Sequence, residues 1–376
     1  CNAFLVSHGS LLENSPRELR PTQYVYRDAA RQLFILPAER KFVIPGGPAC
    51  LSPRPDVSLA HHHGSGGMAE FLITGGAGFI GSHLATALAA QGRQVRVFDN
   101  FSTGNRSKLD DFVSEIEVIE GDILDRDALA AAMAGCEYCL HQAALPSVPR
   151  SVKDPWASNR ANVEGSINVF LAARDAGAKR VIYASSSSVY GNAATMPLVE
   201  TLPRQPLSPY AVSKAAVELY AASFQSLYGI ELVGLRYFNV FGTRQDPDSP
   251  YAAVIPKFIR RILAGERPEI YGDGGQARDF TYVENVVSAN LKACAAPGPL
   301  GGVYNAACGN SISLLELCES IGATLGTAVE PVFLPARAGD IRRSWADISA
   351  ARTAFGYEPK VDFAEGLRRT AQALSS

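Results

Sequence analysis

From residue 68 onward, short apolar runs alternate with amphipathic stretches. "EFLITG" leads into the helical "GSHLATALAAQG", and "QVRVFD", "IEVIEGD" and the Ala-rich "DALAAAMAG" follow. "YCLHQAA", a long helix near Pro155–Gly177, "RVIYASS", a helix from Pro209 and "ELVGLRYFNV" continue the rhythm. Strands alternating with helices predict an α/β fold, a doubly wound parallel sheet covered on both faces. After Asn239 the rhythm changes. Pro and Gly become frequent, and short strands and helices intermix. This predicts one domain over residues 68–240 and a smaller mixed α/β domain over 241–376, with some segments returning to the first.

Composition narrows the class without changing that picture. A chain of 376 residues with 47% apolar and 19% charged residues reads as soluble and globular, one large domain or two. The net charge of -2, with no long basic run, favours no nucleic acid as partner. No apolar run reaches the roughly 18 residues of a membrane span, so a cytoplasmic protein is expected. Seven scattered cysteines fit reduced thiols better than a disulfide framework. Cys136 and Cys139 form a C-x-x-C inside "CEYCLHQAA", but with no second pair they read as small buried residues of a strand, not as a metal site. Residues 1–67 are rich in Pro and Arg, lack a sustained period and end in "HHHGSGG", a leader or tag-like extension ahead of Met68.

"TGGAGFIG" carries the first chemistry. Gly75, Gly78 and Gly81 follow a strand and open a helix, as a dinucleotide-binding turn requires. Gly75 permits the tight turn, Gly78 lets backbone approach a pyrophosphate, and Gly81 lets helix and strand pack closely. The helix N-terminus offers N–H groups to phosphate. "QVRVFD" then ends in Asp99, 18 residues beyond Gly81, where an acid accepts hydrogen bonds from ribose hydroxyls. That acid would repel a 2′-phosphate, so NAD is expected over NADP. Asp122, in "EGDI" after the third strand, is placed to approach the adenine, or else is a turn or N-cap aspartate. The fold is therefore read as Rossmann-type.

Tyr210 and Lys214 in "SPYAVSKAAVELYAASF" are four apart on a helical pattern and face the same way. Ser208 can cap that helix and Pro209 can take its first position. A free tyrosine, with pKa about 10, is a poor base near neutrality. A neighbouring Lys⁺ and a nicotinamide ring are expected to lower it. A phenolate so poised can take a hydroxyl proton while hydride leaves the same carbon.

Thr74–Gly81, Asp99, "SSSSVYG" and Tyr210-x-x-x-Lys214 together resemble the extended short-chain dehydrogenase/reductases. "LRYFNVFG" and "RDFTYVENVV" are similar to that family's nucleotide-sugar epimerases and dehydratases. The resemblance runs from Met68 to about Arg369. It implies an NAD site extending to Phe79 and Ile80, to Asn100, Ser102, Thr103 and Gly104, to Ile123, and to Gln142, Ala143 and Ala144. Asn162, Tyr210, Lys214 and Tyr237 complete it. It also implies a UDP-sugar site of Ser147, Ser186, Ser187, Asn239, Val254, Tyr271, Arg278, Arg337 and Ser344, and a homodimer built on the helices near Pro155–Gly177 and Pro209–Tyr228. Arg278 and Arg337 match the family's diphosphate-binding arginines, whose planar fork suits that task.

By the same resemblance Ser186 hydrogen-bonds the sugar O4 hydroxyl. The family's dehydratases place Asp-Glu at the next two positions, and its decarboxylases a Glu just before "VYG". Ser187 and Ser188 stand there, and neither supplies a carboxylate. That leaves 4-epimerisation: Tyr210 removes the O4 proton, hydride moves to NAD and returns to the opposite face of C4. Ser344 stands where hexose epimerases can carry a bulky Tyr. Its small size leaves room for a 2-acetamido group, so UDP-GlcNAc/UDP-GalNAc or their uronic acids are the expected substrates. UDP-glucose/UDP-galactose 4-epimerisation is the alternative, and a non-catalytic nucleotide sensor of this fold is a further one.

Overall fold

The computed structural model describes residues 69–247, 253–336 and 342–375. The tag-like leader and Arg337 lie outside the described residues. Seven parallel strands form the central sheet: β1 (Phe71–Thr74), β2 (Val95–Asp99), β3 (Ile116–Glu120), β4 (Tyr138–His141), β5 (Arg180–Ser186), β6 (Glu231–Tyr237) and a last strand, Gly302–Ala306. Their spatial order is β3-β2-β1-β4-β5-β6, with Gly302–Ala306 beyond β6. The last strand comes from beyond residue 241, so the sheet recruits a segment of the C-terminal region.

Helices α1 (Phe79–Ala89), α2 (Arg126–Met133), α3 (Val148–Lys153), α4 (Pro155–Asn159), α5 (Gly165–Asp175) and α6 (Pro209–Tyr228) connect β1 through β6. The long helix expected near Pro155–Gly177 is α4 and α5 joined by a π-type turn at Arg160–Glu164. Strands β1, β2 and β4 are buried throughout, as strands covered on both faces must be. One core cluster packs α1 against the sheet through Leu84, Leu88, Val95 and Ile182. A second packs α2, α5 and α6 through Leu129, Phe170, Val217 and Phe224.

The chain runs outward from β1 to β3, then returns to β4 on the other side of β1. Such a switch point opens a crevice at the carboxyl ends of the strands. Beyond residue 240 a third cluster gathers Phe241, Phe258, Phe280, Tyr282 and Leu317. There, two-residue strands pair across long sequence gaps. Ala277–Arg278 lies between Ile312–Ser313 (antiparallel) and Arg343–Ser344 (parallel).

Candidate active site

A cavity of about 730 Å³ opens at that switch point, lined by the ends of β1, β2, β4 and β5. It gathers Gly75, Gly78, Phe79, Ile80 and Gly81 from the first turn, and Asp99, Asn100, Ser102, Thr103 and Gly104 after β2. Asp122, Ile123, Gln142, Ala143, Ala144, Ser147 and Tyr237 complete that wall. Gly75 has φ +71, and a Cβ there would stand 2.6 Å from the Ala143 amide nitrogen. A Cβ at Gly81 would strike the Gly75 carbonyl oxygen. Both glycines are therefore required to bring the turn, α1 and the end of β4 together. Helix α1 starts at this turn with no side-chain cap, and such an end favours a phosphate.

Asp99 is buried. Its two oxygens accept the Ala77 N–H (2.9 Å) and the Phe101 N–H (2.8 Å), so the acid is aimed by the turns it will serve. Each oxygen keeps acceptor capacity for a ribose hydroxyl. Asp122 is a turn aspartate at the cavity. It lines the cavity while accepting the Leu124 N–H (2.9 Å) and the Asn100 amide (2.9 Å), and Asp125 caps α2 instead. A glycine cradle, a helix start and a buried acid at these positions fit a dinucleotide.

Asn162 does not join this wall. It is buried, accepts the Leu145 N–H (2.8 Å) and donates to Ser213 Oγ (3.0 Å). Its amide braces the loop after β4.

Tyr210 and Lys214 line the same cavity, with Ser186. Ser208 caps α6 by accepting the Ala211 N–H (3.2 Å), and Pro209 takes the first position. The Tyr210 N–H donates to Ser151 Oγ (3.0 Å). Lys214 Nζ lies 6.0 Å from the Tyr210 ring centre and donates to the Ala184 carbonyl (2.9 Å). Burial pushes the Tyr210 phenol up, and a hydrogen bond with Ser186 works against that. In the protein alone burial dominates the phenol, and its opponent is Ser186. The Lys214 ammonium is turned to the strand carbonyl, and burial pushes it down to about 8. His141, one strand away, is buried between Thr74 Oγ1 (2.7 Å) and Ser166 Oγ (2.9 Å); desolvation, with Lys214 adding, pushes it down to about 3. It is held neutral, with both ring nitrogens engaged by those two hydroxyls.

The four serines have four different settings. Ser185 donates to the buried Glu218 (2.6 Å). Ser186 faces the cavity, and its Oγ accepts the Ser188 hydroxyl (2.9 Å) and N–H (3.2 Å). Ser187 opens the short 3₁₀ turn Ser187–Tyr190 and does not line the cavity. Gly191 closes that turn at φ +57, where a side chain would run into the Gln205 carbonyl.

A second cavity, of about 390 Å³, adjoins the first at Val240 and Ala253. Asn239, Val254, Tyr271 and Arg278 line it, with Phe241, Phe258 and Phe280 as an apolar floor. Asn239 holds an uncommon φ of +33 and donates to the Asp279 carbonyl (3.2 Å). Ser344 is on neither wall. It is paired in register with Arg278, and its carbonyl accepts the Asp279 N–H (2.9 Å). Residues paired across a ladder share a face and stand about 5 Å apart, so position 344 borders the cavity through Arg278.

Sequence reasoning assigned no role to Lys108, Arg150 or Arg160, which also line the first cavity. All three are single basic residues with no spacing to mark them.

The sequence profile of the NAD dependent epimerase/dehydratase family matches residues 71–307. A UDP-glucose 4-epimerase of Mycolicibacterium smegmatis is 39% identical over 308 residues, covering 80% of this chain and 97% of that protein. Among solved structures, a UDP-N-acetylglucosamine 4-epimerase from Methanobrevibacter ruminantium, in complex with UDP-N-acetylmuramic acid, is 43% identical. Its TM-score is 0.77, with 81% of this chain and 97% of that one covered. A UDP-glucose 4-epimerase of Thermus thermophilus in complex with NAD is 36% identical, with a TM-score of 0.73 and coverage of 81% and 98%.

Proposed function

The chain belongs to the NAD dependent epimerase/dehydratase family, and from that premise we propose that it inverts C4 of a UDP-hexose, with N-acetylated hexosamines preferred. The observation that carries this reading is the site around Ser186, Tyr210 and Lys214. A proton acceptor and two hydrogen-bonding partners stand at the cofactor cavity, and serines occupy the positions where elimination or decarboxylation needs a carboxylate.

Its cofactor is NAD. Gly75 to Gly81 would hold the pyrophosphate, Asp99 the adenosine ribose, and Lys214 the nicotinamide ribose. Bound NAD supplies the acceptor and donor of the C4 hydride and a positive ring beside the phenol. Tyr210 Oη takes the proton from sugar O4, and Ser186 Oγ steadies that oxygen. Asn239 and Arg278 hold the diphosphate, while Tyr271 and Val254 flank the base over the apolar floor of the second cavity.

The preference for an acetamido sugar is supported by the small Ser344 beside Arg278 and by the UDP-N-acetylglucosamine epimerase among the structural neighbours. A plain-hexose reading draws on the UDP-glucose 4-epimerase relative. One methyl-sized difference discriminates by only about 1–3 kcal/mol, so use of both is compatible with the pocket. An exposed apolar row on α4 and α6, with Trp156 75%, Leu219 60% and Leu227 70% exposed, supports a homodimer packed through those helices. No helix of the described residues is long and apolar enough to cross a membrane.

The test is incubation of the purified protein, with no NAD added, separately with UDP-GlcNAc, UDP-glucose and UDP-glucuronate, and chromatography of the products. UDP-GalNAc formation faster than UDP-galactose formation supports the reading. A dehydrated or decarboxylated product, or none, would refute it.

A further inference from the structure

Helix α6 turns three polar side chains toward β5, at Tyr210, Lys214 and Glu218, one turn apart. Each meets that strand end. Tyr210 shares the cavity wall with Ser186, Lys214 donates to the Ala184 carbonyl, and Glu218 accepts the Ser185 hydroxyl. The first two belong to the proposed chemistry. Glu218 does not, for it is fully buried and lines neither cavity.

Its partners set it apart. Arg236 on β6 donates Nε and Nη2 to its two oxygens (2.9 and 2.7 Å). Arg204, in the loop between β5 and α6, donates to the same carboxylate (2.5 Å). Arg236 is also paired in register with Ser185. One carboxylate therefore ties together α6, β5, β6 and the loop that leads to Tyr210. A buried ion pair is weak as a source of stability, since desolvation offsets much of the attraction. Its directional bonds nevertheless hold their partners in one arrangement. Burial works against the Glu218 charge, but the Arg236 hydrogen bond and charge prevail and keep it ionised.

We infer that Glu218 is a positioning residue: by clamping Ser185 and Arg236 to helix α6 it sets the separation of Ser186 and Tyr210, and through it the rate of proton removal from the sugar. The inference rests on the epimerase reading for its kinetic consequence. Its geometric content stands separately.

Two variants of the NAD-loaded protein test it. Glu218→Gln keeps the volume and withdraws the charge from both arginines. Ser185→Ala removes only the strand-side rung and leaves the Glu218–Arg236 pair in place, so it decides the matter if the first variant does not fold. The expected result is a kcat lowered about 10- to 100-fold in Glu218→Gln and several-fold in Ser185→Ala, with KM and bound NAD kept within about twofold. Crystal structures of the variants should show a longer Ser186 Oγ to Tyr210 Oη separation than the parent. An unchanged kcat, or a loss that only tracks lost NAD, overturns the inference. If the parent protein converts no UDP-hexose, the epimerase reading fails, and the crystal separation still decides the positioning claim: no change refutes it.

Discussion

Tyr210 is placed where burial resists its ionisation and a hydrogen bond from Ser186 relieves part of that resistance. Tyr210→Phe should therefore lower kcat by about 10²- to 10⁴-fold while the protein still purifies with its NAD, measured by turnover and by nucleotide released on denaturation. His141 gives a second prediction. Its folded pKa of about 3 lies below the ordinary 6.5, so between those values only the unfolded chain takes up the proton. The neutral imidazole's stabilisation is complete above pH 6.5 and is lost as pH falls toward 3. From pH 6.5 to 5 this amounts to about 2 kcal/mol. Urea unfolding at pH 7 and pH 5 should show that loss, and a smaller one in His141→Asn. At this scale the meeting of Ser186, Tyr210 and Lys214 at one cavity was legible because the motifs that carry them restrict residue type at fixed spacing. Asn162, Ser185 and Glu218 were not. A polar side chain spent on an internal brace has the same sequence signature as one facing a ligand.

The turn between β1 and α1 depends on glycine for space as well as for φ. In Gly81→Ala the new methyl would meet two backbone groups, the Gly75 carbonyl and the Gly76 Cα, neither of which can swing away. The expected outcome is a folded protein that purifies with little bound NAD, read from its nucleotide content and far-ultraviolet circular dichroism. The strand–helix alternation of the first domain could be read along the chain, because each strand is a contiguous apolar run and each helix has its own period. The second domain could not. Its strands of two residues have no period, and the pairing of Ser344 with Arg278 joins segments far apart in sequence. That pairing now carries the specificity argument. Ser344→Tyr should cut kcat/KM for UDP-GlcNAc by about tenfold or more while UDP-glucose is less affected, as a pocket-size effect of a few kcal/mol would. An equal loss on both substrates would reject it.

At the scale of the whole molecule, the large aliphatic residues that α6 leaves exposed recur about every two turns, at Val212, Leu219 and Leu227, on a helix whose other side carries Tyr210 and Lys214. Light scattering should find a dimer, and the double variant Leu219→Glu with Leu227→Glu should be monomeric. A monomeric parent would remove that part of the proposal. The fold as a whole joins a glycine-built cofactor crevice to an adjoining cavity with Arg278 on its wall, and places one tyrosine at the crevice's catalytic end. The central claim is that the hydrogen on sugar C4 leaves and returns within one closed site. UDP-GlcNAc carrying deuterium at C4, converted without added NAD and followed by nuclear magnetic resonance, tests this directly. The account requires UDP-GalNAc that keeps the deuterium at C4. Deuterium washed out into solvent, or an unchanged substrate, would contradict it.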